Sequence, residues 1–145
     1  IASLPGISRF SADQLLPVVE RDLNNGVKSV MLFGVPEHKD AEGSGALDAQ
    51  GEVPAAVRLL KQQFGDDLIV MVDVCLCPYT DHGHCGFVHG EEVVNDSSVV
   101  ALSQMAAVLA AIKWTTATAA KLIVNWSWTS TKVPTWSWSS QRLLT

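Results

Sequence analysis

The sequence is short of positive charge, of cysteine and of long apolar runs, and each shortage removes a class of function. Ten Lys/Arg stand against 15 Asp/Glu, a net charge of −5. The chain therefore lacks the basic patch that a nucleic-acid surface needs. Its apolar runs, such as residues 68–72, fall far below the ~20 residues that cross a bilayer, so no membrane span is expected. The three cysteines, Cys75, Cys77 and Cys85, are odd in number and crowd into eleven residues. A secreted disulfide framework spreads an even number along the chain. The cluster reads instead as metal or redox chemistry in a reducing compartment, the cytoplasm first and a plastid second. No internal repeat is visible. Gly43-Ser44-Gly45 is not followed by the Gly-Lys-Thr that would make it a phosphate loop. The first residue is Ile1 rather than Met, so a targeting peptide ahead of it is neither seen nor excluded.

What is present suits one modest domain with a core: 145 residues, 48% apolar and 17% charged. That balance is globular rather than disordered. The charge is unevenly spread. Residues 1–112 hold all 15 acids and six Lys/Arg, a balance of −9. Residues 113–145 hold Lys113, Lys121, Lys132 and Arg142, no acid, and all five Trp. The break divides the chain into a body, 1–112, and an anomalous Trp/Ser/Thr-rich tail, 113–145, that periodicity assigns to neither helix nor strand.

In the body, Ser11 can cap a helix carrying Leu15, Leu16, Val18, Val19 and Leu23, with Gly26 past its end. Residues 27–35 are mostly apolar and β-branched, as a strand buried on both faces should be. Residues 36–53 are polar and Gly-rich, hence a long loop, in which Lys39-Asp40 reads by default as a solvated pair. Pro54 suits the first turn of a second helix, with Val57, Leu60 and Phe64 on one side. Residues 68–76 predict a second buried strand, 78–96 a loop, and Asp96 or Ser97 the cap of a third helix running to about residue 112. Alternation at this spacing implies parallel strands with crossover helices. Loops after the strands would carry function, as in a (β/α)8 barrel. A whole barrel takes about 250 residues, so the chain is either a smaller open sheet or an incomplete TIM-barrel fragment.

The strongest chemical signal is Asp73-Val74-Cys75-Leu76-Cys77-Pro78-Tyr79-Thr80-Asp81-His82-Gly83-His84-Cys85-Gly86. Side chains two apart on a strand share a face, which puts Asp73, Cys75 and Cys77 together at the strand's end. Gly83 and Gly86 ease the return of Cys85 toward them. Three converging thiolates suit a thiophilic ion, Zn²⁺ first among them, and leave a fourth position for water or substrate. The plainer reading makes Cys75 and Cys77 inert strand packing. A Cys75–Cys77 disulfide is disfavoured, because extended residues two apart hold their sulfurs poorly for bonding. His82 reads as a solvated loop residue, while ligand, second donor and solvated readings all stay open for His84. Asp73 either caps a loop or transfers protons beside the metal.

The same stretch resembles, nearly letter for letter, the zinc motif of the delta-aminolevulinate dehydratases, or porphobilinogen synthases. Leu4-Pro5-Gly6-Ile7-Ser8-Arg9-Phe10 resembles the segment opening their barrel. Leu32-Phe33-Gly34-Val35-Pro36, Lys39-Asp40 and Gly43-Ser44 resemble their first strand and its loop. The resemblance runs in order through about residue 110. It implies a TIM barrel, commonly a homo-octamer, acting as a hydro-lyase that condenses two 5-aminolevulinate molecules to porphobilinogen in heme and tetrapyrrole synthesis. It makes Cys75, Cys77 and Cys85 the ligands of a catalytic Zn²⁺, and Asp73 the active-site aspartate beside it. One departure is Asp81, where such enzymes usually carry Ser. The larger departure is that the two lysines forming Schiff bases with substrate lie downstream in the family. Lys113, Lys121 and Lys132 do not sit in matching sequence, so the chain reads as an inactive fragment. The alternatives are a noncatalytic zinc-binding module and a non-functional truncated product.

The tail invites a reading-frame explanation. Trp has one codon, so a frame displaced by one base constrains its neighbours strongly. With permitted codons, residues 131–140 then spell a stretch resembling the family's segment around its second Schiff-base lysine. The alternative is a genuine Ser/Thr/Trp-rich binding surface.

Overall fold

A computed structural model describes residues 1–112 and, as backbone, residues 123–125. The division of the tail from the body and the reading-frame explanation fall on residues that lie almost wholly outside those described.

Helix α1, Ala12–Asn24, starts where the sequence places it. Ser11 is extended, and its carbonyl accepts the amides of Gln14 and Leu15. Gly26 follows with φ at +92°, a left-handed stop that a side chain would strain. Strand β1, Ser29–Leu32, leads through a short 3-10 turn at Ser44–Leu47 to helix α2, Glu52–Phe64. Pro54 sits in the first turn of α2, where its missing amide costs nothing. Strand β2, Ile69–Asp73, follows, and pairs in parallel with β1, Met31 opposite Met71.

Residues 78–96 are not all loop. Phe87–His89 (β3) and Glu92–Val94 (β4) form an antiparallel hairpin. Helix α3, Asn95–Ala110, continues directly from β4, so Val94 rather than Asp96 or Ser97 takes the cap position. The Ser98 hydroxyl instead accepts the Phe87 amide at 2.9 Å and donates to the Val94 carbonyl, tying hairpin to helix. Strand β5, Ile123–Asn125, then adds in parallel to the far side of β2, with Asn125 opposite Asp73. The tail thus supplies a strand that its composition did not reveal.

The sheet order is β1-β2-β5, two successive βαβ units sharing the central strand. The core lies on one face of this sheet. Val70 and Val72 point into a cluster with Val57 and Leu60 of α2 and Met105 and Leu109 of α3, and Val19 of α1 joins it. The other face is open. Met31 is 39% exposed, Phe33 62% and Ile69 43%. Burial of residues 27–35 on both faces is therefore not what the structure shows. The helices occupy one side, and no element among the described residues covers the other. No helix among the described residues is long and apolar enough to cross a membrane.

Leu60 is fully buried at the centre of the one packed layer. Leu60→Ala should lower stability by about 2–5 kcal/mol, read by chemical denaturation of the metal-loaded chain. A loss below about 1 kcal/mol would mean that this layer is not the structural core.

Candidate metal centre

Strand β2 is flanked on both sides by parallel partners, which fixes the chain direction at its C-terminal lip. Past Asp73 the chain stays extended enough to bury Val74 and Leu76 in the core. The alternate residues Cys75 and Cys77 bring their sulfurs to 3.1 Å, too far for a disulfide bond. At Leu76 the backbone turns, its carbonyl accepting the amides of Tyr79 at 2.8 Å and Thr80 at 3.0 Å. Gly83, with φ at +73°, helps bring the chain back. Cys85 then joins the pair, with the three sulfurs all within 4.8 Å of one another. Gly86 serves by its lack of bulk rather than by its backbone angles. A Cβ there would stand 2.5 Å from the Ser98 hydroxyl oxygen, closing the approach of the loop to α3.

The structure therefore brings together the three cysteines that the sequence singles out. Cys75 is buried, while Cys77 and Cys85 are partly open to solvent. Neither His82 nor His84 belongs to the cluster. His82 is not merely solvated: its Nε2 lies 3.2 Å from the Ala41 carbonyl, and its Nδ1 accepts the His84 amide at 3.1 Å. The accepting Nδ1 leaves the proton on Nε2, which donates to Ala41. Lys39 and Asp40 are both exposed, as the solvated reading expects, but the Asp40 carboxylate is not idle. Asp40 organises its own loop, accepting the amides of Glu42 at 2.9 Å and Ser44 at 3.0 Å, and the Ser44 hydroxyl. The Ser44 hydroxyl, then its amide, hold the Asp40 carboxyl below the usual carboxylate range. Sequence reasoning missed this role. The signal was the loop's glycine density, discounted once a phosphate loop was ruled out.

The electrostatics of the cluster favour a cation. Burial first, then hydrogen bonding and charge from Cys75, push the Cys77 thiol up to about 12. Cys85 is raised by burial and by Cys75, with a further upward push from the Asp73 charge. Burial raises Asp73 itself. Thiols crowded in this way resist ionising beside one another, and a dication among them reverses the balance. The donor set fits such an ion. Sulfurs around one tetrahedral Zn²⁺ lie roughly 3.8 Å apart, from Zn–S distances near ~2.3 Å, within the span the cluster already has.

A parallel α/β sheet with a candidate metal centre at the lip of its central strand is the class that fold and site define. Comparison with known proteins narrows it. The family described as delta-aminolevulinic acid dehydratase matches residues 1–117. The enzyme of that name from Methanothermus sociabilis is 43% identical over 106 residues, covering 73% of this chain and 32% of its own length. The one from Helicobacter pylori is 44% identical over 110 residues, covering 76% and 34%. Among solved structures, the delta-aminolevulinic acid dehydratase (porphobilinogen synthase) of Toxoplasma gondii, in complex with the reaction product porphobilinogen, matches with a TM-score of 0.72. It is 36% identical over 76% of this chain and 32% of its own. The chain belongs to the delta-aminolevulinic acid dehydratase family and spans about a third of the length of these relatives.

Because the raised thiols are protonated at neutral pH, a bound dication must displace their protons. Its affinity should therefore rise with pH through the neutral range, by about tenfold per pH unit for each proton released. Chelator-competition titrations at several pH values read the slope. A flat profile would mean that the cysteines are not the ligands.

Proposed function

We propose that residues 1–112 are the N-terminal third of a zinc-dependent porphobilinogen synthase, the first part of a (β/α)8 barrel, and that residues 113–145 are an anomalous tail that nonetheless adds the strand Ile123–Asn125 to its sheet. Family membership supports the reaction: condensation of two 5-aminolevulinate molecules to porphobilinogen with loss of two waters. The observation that carries the zinc reading is the cluster of Cys75, Cys77 and Cys85, with sulfurs within 4.8 Å of one another. Soft thiolates select Zn²⁺ over Mg²⁺. Three protein ligands leave a coordination site open, which is the mark of a catalytic rather than a structural zinc. Bound there, the ion would polarise a substrate oxygen and orient the substrate.

Asp73 closes β2 on the open face of the sheet, next to this cluster. Burial raises its carboxyl above the usual carboxylate range, the direction that suits a group passing protons to and from substrate. The octameric assembly implied by the family resemblance belongs to the complete enzyme. A reducing compartment, the cytoplasm before a plastid, suits three thiols that must stay reduced to hold a metal.

The second reading is that this chain alone is a metal-binding module without activity. What favours it is that the ligands are present while Lys113, Lys121 and Lys132 lie in sequence unlike that of the Schiff-base lysines. The purified chain should take up one zinc per molecule and give no covalent adduct when treated with 5-aminolevulinate and borohydride. Mass spectrometry reads both outcomes. A trapped adduct would restore catalysis to the chain, whereas zinc-free protein with all thiols reduced would remove the metal reading.

A further inference from the structure

We propose that Thr80 and Asp40 are positioning residues for the metal centre, locking the loop after β1 onto the loop after β2 and so setting where Cys85 meets Cys75 and Cys77. The inference rests on the zinc reading above. Between Asp73 and Phe87 the chain has no regular secondary structure, so the place of Cys85 depends on particular contacts. The two loops meet in a short parallel bridge between Asp40 and Thr80. The Asp40 amide donates to the Tyr79 carbonyl at 3.3 Å, and the Asp81 amide donates to the Asp40 carbonyl at 3.1 Å. Asp40 is itself held by the turn that its carboxylate organises around Glu42 and Ser44.

Around that bridge the β1 loop forms a socket lined by glycine. A Cβ on Gly34 would stand 2.3 Å from the Tyr79 hydroxyl oxygen, and one on Gly45 would stand 3.4 Å from the Tyr79 ring. A Cβ on Gly43 would stand 3.2 Å from the Thr80 methyl. The glycines let Tyr79 and Thr80 sink into the β1 loop, and Thr80 ends 0% exposed. From that fixed point the Thr80 hydroxyl donates to the His84 carbonyl at 2.9 Å, closing the turn one residue before Cys85. The His82 contact to Ala41 is a second tie between the same loops. The path from Asp40 to the third sulfur is thus a chain of short contacts.

Groups that orient metal ligands without touching the metal typically change affinity by 10–100-fold when removed. The test uses the full 145-residue chain, titrated with Zn²⁺ in competition with a chelator and with Co²⁺ as a spectroscopic probe. Thr80→Val keeps the shape and removes the hydroxyl. It should bind either ion about 10–100-fold more weakly, with reduced sulfur-to-cobalt charge-transfer absorption and an unchanged far-UV circular dichroism spectrum. Thr80→Ser, which keeps the hydroxyl, should restore both affinity and absorption. Unchanged affinity and absorption in Thr80→Val would overturn the proposal. Should that variant fail to fold, Asp40→Ala takes its place, removing the oxygens that accept the Glu42 and Ser44 amides. It should weaken binding of both ions and reduce the absorption in the same way, and unchanged affinity and absorption there would overturn the proposal. A parent chain that binds neither ion with its thiols reduced would instead overturn the zinc reading itself.

Discussion

Cys77 and Cys85, crowded against Cys75 at the lip of one strand, resist ionising without a cation among them, and the surrounding structure serves to keep the three sulfurs there. Burial and mutual proximity push Cys77 up to about 12. The same crowding that makes the metal-free cluster a poor anion makes it a ready receptor for a soft dication. The geometry follows from the position of β2. A strand flanked on both sides by parallel neighbours cannot slide without moving its hydrophobic set off the core. Val70 and Val72 anchor that register, and Val74 and Leu76 continue the anchoring beyond the strand's formal end. Cys75 and Cys77, alternating with these buried residues, take their places as a consequence of core packing.

The second loop supplies what the strand cannot. Cys85 is ten residues past Cys75, and it returns only because Tyr79 and Thr80 are seated in the glycine-lined loop after β1. Chemistry at the C-terminal edge of a parallel sheet is commonly assembled from loops of neighbouring strands. Here the β1 loop contributes support rather than a donor atom. Its polar composition, which reads in isolation as a solvated surface, is the socket of a neighbouring loop.

Much of this was legible in the sequence where periodicity and spacing act locally. The apolar stripe of Leu15, Leu16, Val19 and Leu23, the proline at position 54 and the glycine at position 26 predict helices that form where expected. The Cys-x-Cys spacing, with a third cysteine across a glycine-bearing turn, predicts a cluster that forms. What was not legible depends on contacts distant in sequence. The hairpin of Phe87–His89 and Glu92–Val94 has strands of three residues each, too short for an alternating pattern to stand out. Burial of residues 27–35 on both faces is a property of a complete barrel, and among the described residues helices cover one face only. Met31, Phe33 and Ile69 are apolar for a partner layer that the described residues do not include. Asp40 reads in sequence as a solvated loop residue because its partners, the backbone of residues 42–44 and of the loop at Tyr79, carry no signature in composition.

The proposed centre is a single Zn²⁺ held by three sulfurs with one coordination site left open. X-ray absorption at the zinc edge of the purified, zinc-loaded chain tests this most directly. The expected result is three sulfur scatterers at about 2.3 Å and one nitrogen or oxygen at about 2.0 Å. A shell made only of nitrogen and oxygen, or a closed shell of four sulfurs shared between chains, would contradict it.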